Sequence, residues 1–268
     1  MLAIVSIFLP LLIQVAVLYG LSRLISQLVL RHVGRNVFLL LTWPGVVAHE
    51  LSHLLACLFT FTKVLRVSLF HPQGSTLGFV DHERTYNPVK KVVISIAPLF
   101  GVTVLLWIVV RWLWPDVYSQ QLSSVQMAVS DFSSFHNFFQ LSVHYFSTYG
   151  MYIRELVANF HFSQWQTYVG LYLLIALSTH AAPSKDDLKH TYIGLFGLGI
   201  IFSILYGLDQ WLQVPFTWQV ITLLTYPAFI LANFLTYGII FAFVGTVPWL
   251  LVGGVWWILG KGRAISIV

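Results

Sequence analysis

Apolar residues run nearly unbroken over Leu2–Leu30, Val37–Thr62, Val92–Leu113, Tyr168–Ala182 and Tyr192–Leu212, with polar residues collected between them. A helix rises about 1.5 Å per residue and a bilayer core is about 30 Å thick, so runs of this kind read as membrane-crossing helices. A further stretch, Trp218–Gly260, contains no Lys, Arg, Asp or Glu. It is too long for one ordinary span. It predicts either a strongly tilted helix followed by a re-entrant piece near Gly245-Thr246-Val247-Pro248, or a tight helical hairpin. The pattern predicts an all-α polytopic membrane protein of about six transmembrane helices, forming a single domain over residues 1–268.

Two segments break the helical period. Leu65-Arg66-Val67-Ser68-Leu69 alternates apolar with polar, Pro72-Gln73-Gly74-Ser75 is a turn signal, and Thr76-Leu77-Gly78-Phe79-Val80 returns. This predicts a β-hairpin over 65–80 with about seven residues per strand, held at the membrane surface by basic flanks. Residues 114–166 form the longest non-spanning segment, extracytoplasmic or surface-lying, with Phe132, Phe135, Phe138, Phe139, Val143 and Phe146 at three- and four-residue spacing.

Composition agrees with a lipid environment. Charged residues make up 9% of the chain and hydrophobic ones 58%, whereas charged residues approach about a quarter of a soluble domain. The net charge of +5 follows topology and calls for no nucleic-acid partner. Lys63, Arg66, Arg84, Lys90 and Lys91 crowd between the second and third runs, which the positive-inside rule places in the cytoplasm. Alternation carries Lys185, Lys189, Lys261 and Arg263 to the same side and leaves Arg31 and Arg35 outside against the rule. The first run contains Arg23, exceeds the apolar core of a signal peptide and lacks a small-residue cleavage site, so it reads as a retained helix. The single Cys57 rules out a disulfide framework and a cysteine zinc cluster.

Within Val37–Thr62 the only acidic or basic side chains are His49, Glu50 and His53, an H-E-x-x-H sequence. Residues four apart share a helix face, so both imidazoles can reach one zinc ion (Zn2+), with Glu50 beside them as catalytic base. A charge at mid-bilayer costs about 2.5–3.5 kcal/mol on insertion scales, which disfavours an idle Glu50. The plain alternative is a polar cluster that bridges helices without metal. Zinc hydrolases use a third protein ligand and keep one position open. Ala56 and Phe59 stand where the metzincin pattern needs Gly and His, and no thermolysin-type E-x-x-x-D helix follows. Acid next meets the end of an apolar run at Ser178-Thr179-His180-Ala181-Ala182-Pro183-Ser184-Lys185-Asp186-Asp187-Leu188-Lys189. Asp186 or Asp187 can supply the ligand there, with His180 and His190 as substitutes or supporting partners. Ser184 equally fits an N-cap in front of two solvated acids. Asp81-His82-Glu83 reads as a hydrated loop and Asp209 as an interfacial residue.

The H-E-L-S-H segment, the basic loop after it and the P-S-K-D-D-L segment, about the central half of the chain, resemble the site-2 protease family of intramembrane zinc metalloproteases. The resemblance implies a catalytic helix over 37–62, a third ligand in the helix and loop over 168–190, and a membrane-associated β-hairpin after the catalytic helix. It also implies an active site just below the cytoplasmic face of a prokaryotic cell membrane. Many members read N-x-x-P…D-G around their Asp, whereas here Pro183 and Ser184 precede the acids and Leu188 follows. The spacing from Ser184 matches the branch that reads P-S-x-x-D. That match gives the ligand role to Asp187, with Asp186 as second choice, and the missing Asn leaves its role without a counterpart.

The expected function is therefore zinc-dependent intramembrane endopeptidase. His49, His53 and Asp187 would hold zinc, Glu50 would act as base, and the substrate would be a membrane-embedded or membrane-attached protein. Val67, Leu69, Leu77 and Phe79 of the hairpin are the expected substrate contacts, through strand addition. The rival is a non-proteolytic membrane protein, either a pseudoprotease that chaperones membrane helices or a metal-binding transporter. An intact Glu50 favours the enzyme, because a binding-only site has no need of a base. No oligomeric state is read from the sequence.

Overall fold

The computed structural model describes residues 2–32, 34–73, 76–113, 163–212 and 235–251, with Gly150, Arg154, Val157, Ala158, Gln219, Leu231 and Val255 besides. Its helices are α1 (Leu2–His32), α2 (Arg35–Phe59), α3 (Pro88–Leu113), α4 (Trp165–Ser178), α5 (Lys185–Leu212) and α6 (Leu235–Leu251). Strands β1 (Val64–Ser68) and β2 (Phe79–His82) pair antiparallel between α2 and α3 in the chain. Among the described residues three helices, Leu11–His32, α2 and α3, are long and apolar enough to cross a membrane, and α4 and α6 are shorter apolar helices.

Two expectations change. Helix α6 runs unbroken through Gly245–Pro248, so no re-entrant piece begins there. Helical backbone satisfies its own polar groups, which a hydrocarbon solvent demands. Pro98 lies inside α3. The helix starts at Asn87-Pro88. The Asn87 Oδ1 accepts the N–H groups of Val89 (2.9 Å) and Lys90 (3.3 Å), and Pro88 at the first helical position needs no partner. Asp81 and His82 are strand residues rather than a loop, and Arg66 Nη2 clasps Asp81 Oδ2 at 2.6 Å. The phenylalanine series at 132–146 and most of 213–234 fall outside the described residues.

Helix α2 is held by small residues. Ala48, Ser52 and Ala56 recur every fourth position as a buried ridge. A Cβ on Gly101 of α3 would come within 2.1 Å of the Ser52 Oγ, and one on Gly45 within 2.0 Å of the Ala176 carbonyl oxygen of α4. Backbones this close are the usual basis of helix association in lipid, where apolar side chains gain little from leaving the solvent. Leu18, Leu106, Leu174, Leu235 and Tyr237, all fully buried, tie α1, α3, α4 and α6 into one core.

The end of α2 closes in a Schellman turn, with Thr62 N–H donating to the Cys57 carbonyl (2.8 Å) and Phe61 N–H to that of Leu58 (3.1 Å). Phe61 takes the left-handed position at φ 51°, where glycine is usual. The reversal sends β1 back toward α2. The β1–β2 register pairs Arg66 with Asp81, Val67 with Val80 and Ser68 with Phe79, with an irregularity between Val64 and Arg66. The hairpin does not stay at one end of the helices as its basic flanks suggested. Its turn segment reaches Arg35 at the start of α2, whose Nη2 donates to the Pro72 carbonyl at 2.8 Å.

Pro44 inside α2 has no N–H for the Leu40 carbonyl. The Tyr172 hydroxyl of α4 donates to that oxygen at 2.6 Å. Tyr172→Phe should therefore destabilise the protein by about 1–3 kcal/mol, the cost of a stranded acceptor. The loss should shrink in a Pro44→Ala background, where the helix supplies its own donor. Thermal unfolding of the four proteins of this cycle in detergent checks the coupling, and strictly additive effects would refute it.

Candidate metal centre

His49 and His53 sit on the face of α2 turned toward the start of α5 and the end of α4. His53 lies six residues from the end of α2 and His49 ten, about 9 and 15 Å along the axis. Asp187 is in the first turn of α5. Its Oδ2 is 3.3 Å from His49 Nε2 and its Oδ1 is 3.2 Å from His53 Nε2. All three side chains are nearly buried, with 11–13% of their surface exposed.

The opposite ring nitrogens fix the tautomers. His49 Nδ1 is 2.9 Å from the His180 carbonyl oxygen and His53 Nδ1 is 2.8 Å from that of Ile94. A carbonyl only accepts, so both protons are on Nδ1. Neutral imidazoles then turn bare Nε2 lone pairs toward a carboxylate, an arrangement that needs positive charge between them. Two extra protons would supply it, at the cost of two imidazolium rings with centroids 5.0 Å apart. One divalent cation supplies the same charge without that repulsion. The three ligand atoms lie within 4.8 Å of one another, so His49, His53 and Asp187 could hold a metal ion.

Asp187 also completes a capping box. Ser184 N–H donates to Asp187 Oδ2 at 2.8 Å and Asp187 N–H to Ser184 Oγ at 3.1 Å. The capping contact with Ser184 and the approach to His49 and His53, alternatives in the sequence, coincide at the Asp187 carboxylate. Asp186 is exposed.

Glu50, partly buried, takes no hydrogen bond or ion pair among the described residues and meets the hairpin instead. A Cβ on Gly78 would lie 2.6 Å from Glu50 Cγ, so the chain entering β2 passes directly over the acid. Of the expected substrate contacts, Val67 lies in β1 and is 41% exposed, Phe79 opens β2, and Leu77 packs toward the helix core. Leu69 lies just beyond β1. The His180 ring contacts the Thr179 hydroxyl at 3.0 Å and its carbonyl, not its ring, meets His49.

The composition of the site was legible from H-E-x-x-H and the paired acids. Gly78 and the carbonyls of Ile94 and His180 were not, since backbone atoms carry no residue-type signal. Pro98 was the one available clue, because a proline within a helix frees the carbonyl four residues earlier. No family model, curated protein or solved structure matches the chain.

Asp187→Asn should weaken zinc binding by tenfold or more, on the order expected for a lost ligand, and Asp186→Asn should leave it unchanged. Chelator competition on the purified proteins gives the ranking. Equal, negligible effects would place the third ligand elsewhere.

Proposed function

We propose that the chain is a zinc-dependent intramembrane endopeptidase acting on membrane-embedded or membrane-attached protein substrates. The observation that carries this reading is the pairing of a pre-shaped His49–His53–Asp187 ligand set with an uncommitted carboxylate, Glu50, beside it. A transporter's metal site or a helix-binding pseudoprotease has no use for that carboxylate. Six spans, with the end of α2 on the cytoplasmic side, complete the proposal.

Zinc at this site would supply Lewis-acid activation of water and of the scissile carbonyl. Glu50 accepts the proton of the attacking water and returns it to the leaving amine. A substrate helix hides its amides, so the cleaved segment must be extended. The β1–β2 hairpin passing over Glu50 offers a strand edge to hold it, with Val67 and Phe79 as contacts and exposed Leu65 (58%) beside them. The polar site, sunk about 9–15 Å from the helix end, gives water a place within the bilayer's depth.

Glu50→Gln should retain zinc and lose at least about 100-fold in cleavage, since an amide keeps the shape without accepting a proton. The assay is a panel of single-span membrane proteins, reconstituted with the zinc-loaded enzyme and read by mass spectrometry of products, with and without chelator. Undiminished turnover in the variant removes Glu50 from the mechanism. A zinc-loaded parent that cleaves none of the panel favours the non-proteolytic rival.

Proline scanned across Val67–Phe70 and Leu77–Val80 should reduce cleavage at one alternating set of positions while zinc stays bound, because proline cannot donate to a ladder. Normal cleavage by variants with a disrupted hairpin would mean that substrate enters directly between helices.

A further inference from the structure

Pro98 has no part in the chemistry above, yet it stands one helical turn behind an atom of the site. In an α-helix the carbonyl of residue i accepts the N–H of residue i+4, and proline has none. Pro98 therefore releases the Ile94 carbonyl from the α3 ladder. That oxygen is the one His53 Nδ1 reaches at 2.8 Å. Ile94 is 4% exposed, so bulk water does not compete for it.

Pro44 provides an internal comparison. It releases the Leu40 carbonyl in the same way, and Tyr172 takes that oxygen at 2.6 Å without involving either imidazole. Pro44 and Pro98, in the neighbouring helices α2 and α3, thus each free a carbonyl that is occupied by a side chain from another helix. One of those side chains is a ligand candidate.

We propose that Pro98 is a positioning residue of the metal centre. By withholding an N–H it reserves the Ile94 carbonyl for His53, which keeps the proton on Nδ1 and aims Nε2 at Asp187. The proposal rests on the reading of His49, His53 and Asp187 as metal ligands. An ordinary residue at 98 would direct an N–H at the Ile94 oxygen. His53 would then share its acceptor, and its ring would be held less firmly and made less basic. Outer partners of ligating imidazoles are worth about 10–100-fold in metal affinity. The carbonyl keeps a second lone pair for His53, which puts the expected loss near the lower end, about tenfold.

The test uses the full chain purified in detergent. Zinc affinity is measured by competition with a chromophoric chelator, and the site is probed by the visible absorption of bound Co2+. Three changes are compared with the parent: Pro98→Ala, lactic acid in place of Pro98, and Pro44→Ala. Lactic acid carries the alanine methyl on an ester linkage, so it removes the ring and still offers no N–H. Pro98→Ala should bind zinc about tenfold more weakly with displaced Co2+ bands, while the other two stay within about twofold of the parent. Unchanged affinity in Pro98→Ala overturns the proposal. An equal loss in the lactic acid protein also overturns it, by making the ring rather than the missing donor the cause. If Pro98→Ala does not fold, the lactic acid protein decides alone, parent-like affinity supporting the proposal and a tenfold loss ending it. A parent that takes up neither zinc nor Co2+ removes the metal centre itself and the Pro98 role with it, a failure visible before any variant is made.

Discussion

Two main-chain carbonyls aim the two imidazoles of α2, and the rest of the site depends on them. His49 donates to the His180 oxygen at the end of α4, and His53 to the Ile94 oxygen inside α3. In hydrocarbon every carbonyl needs a donor, and an unmet one costs several kcal/mol. Helices meet this need internally except at their ends and ahead of a proline. The site uses one position of each kind. Because the acceptors are main-chain atoms within or just past a helix, they have no rotamers of their own, which suits imidazoles that must keep a fixed direction without support from bulk water.

That arrangement requires close helices. An imidazole is short, and its Nδ1 reaches the main chain of a neighbouring helix only when the two axes approach tightly. Gly101 against Ser52 and Gly45 against Ala176 provide the approach on the two sides of α2, within a turn or so of His53 and His49. The buried hydroxyls that such packing creates are satisfied locally. Ser52 donates to the Ala48 carbonyl at 2.6 Å, Thr42 to that of Phe38 at 2.7 Å and Ser178 to that of Leu174 at 2.5 Å. These three hydroxyls are committed to their own helices' backbones, and the Glu50 carboxylate, with no hydrogen bond or ion pair among the described residues, stands out against them.

How much of this the sequence disclosed follows the physics of each signal. Hydropathy marked α2 and α3 within a few residues, because lipid imposes long apolar runs. The spacing of His49 and His53 disclosed a shared face, and Ser184-x-x-Asp187 disclosed a helix start, since both are local. The hairpin's existence was legible from alternation, but its strands are shorter than expected and its course along α2 was not. That course rests on Arg35 and Pro72, residues far apart in the chain. The start of α3 at Asn87-Pro88 was readable from N-cap and proline preferences. The choice between Asp186 and Asp187 as a neighbour of the histidines needed three dimensions, because it depends on how α5 is rotated.

The ligand set is ordered by the protein before any metal arrives. Asp187 is held by its reciprocal bonds with Ser184 and by the positive end of α5, so its direction does not depend on a cation. The imidazoles are held by carbonyls on the far sides of their rings. This differs from small structural zinc domains, where ligands converge only as the metal folds the chain and binding energy is folding energy. Here the bundle is built by helix packing, and the three candidate ligand atoms lie within 4.8 Å of one another. A metal held by three protein ligands would keep a position open for water, and ligands ordered by the protein alone suit a site of that kind.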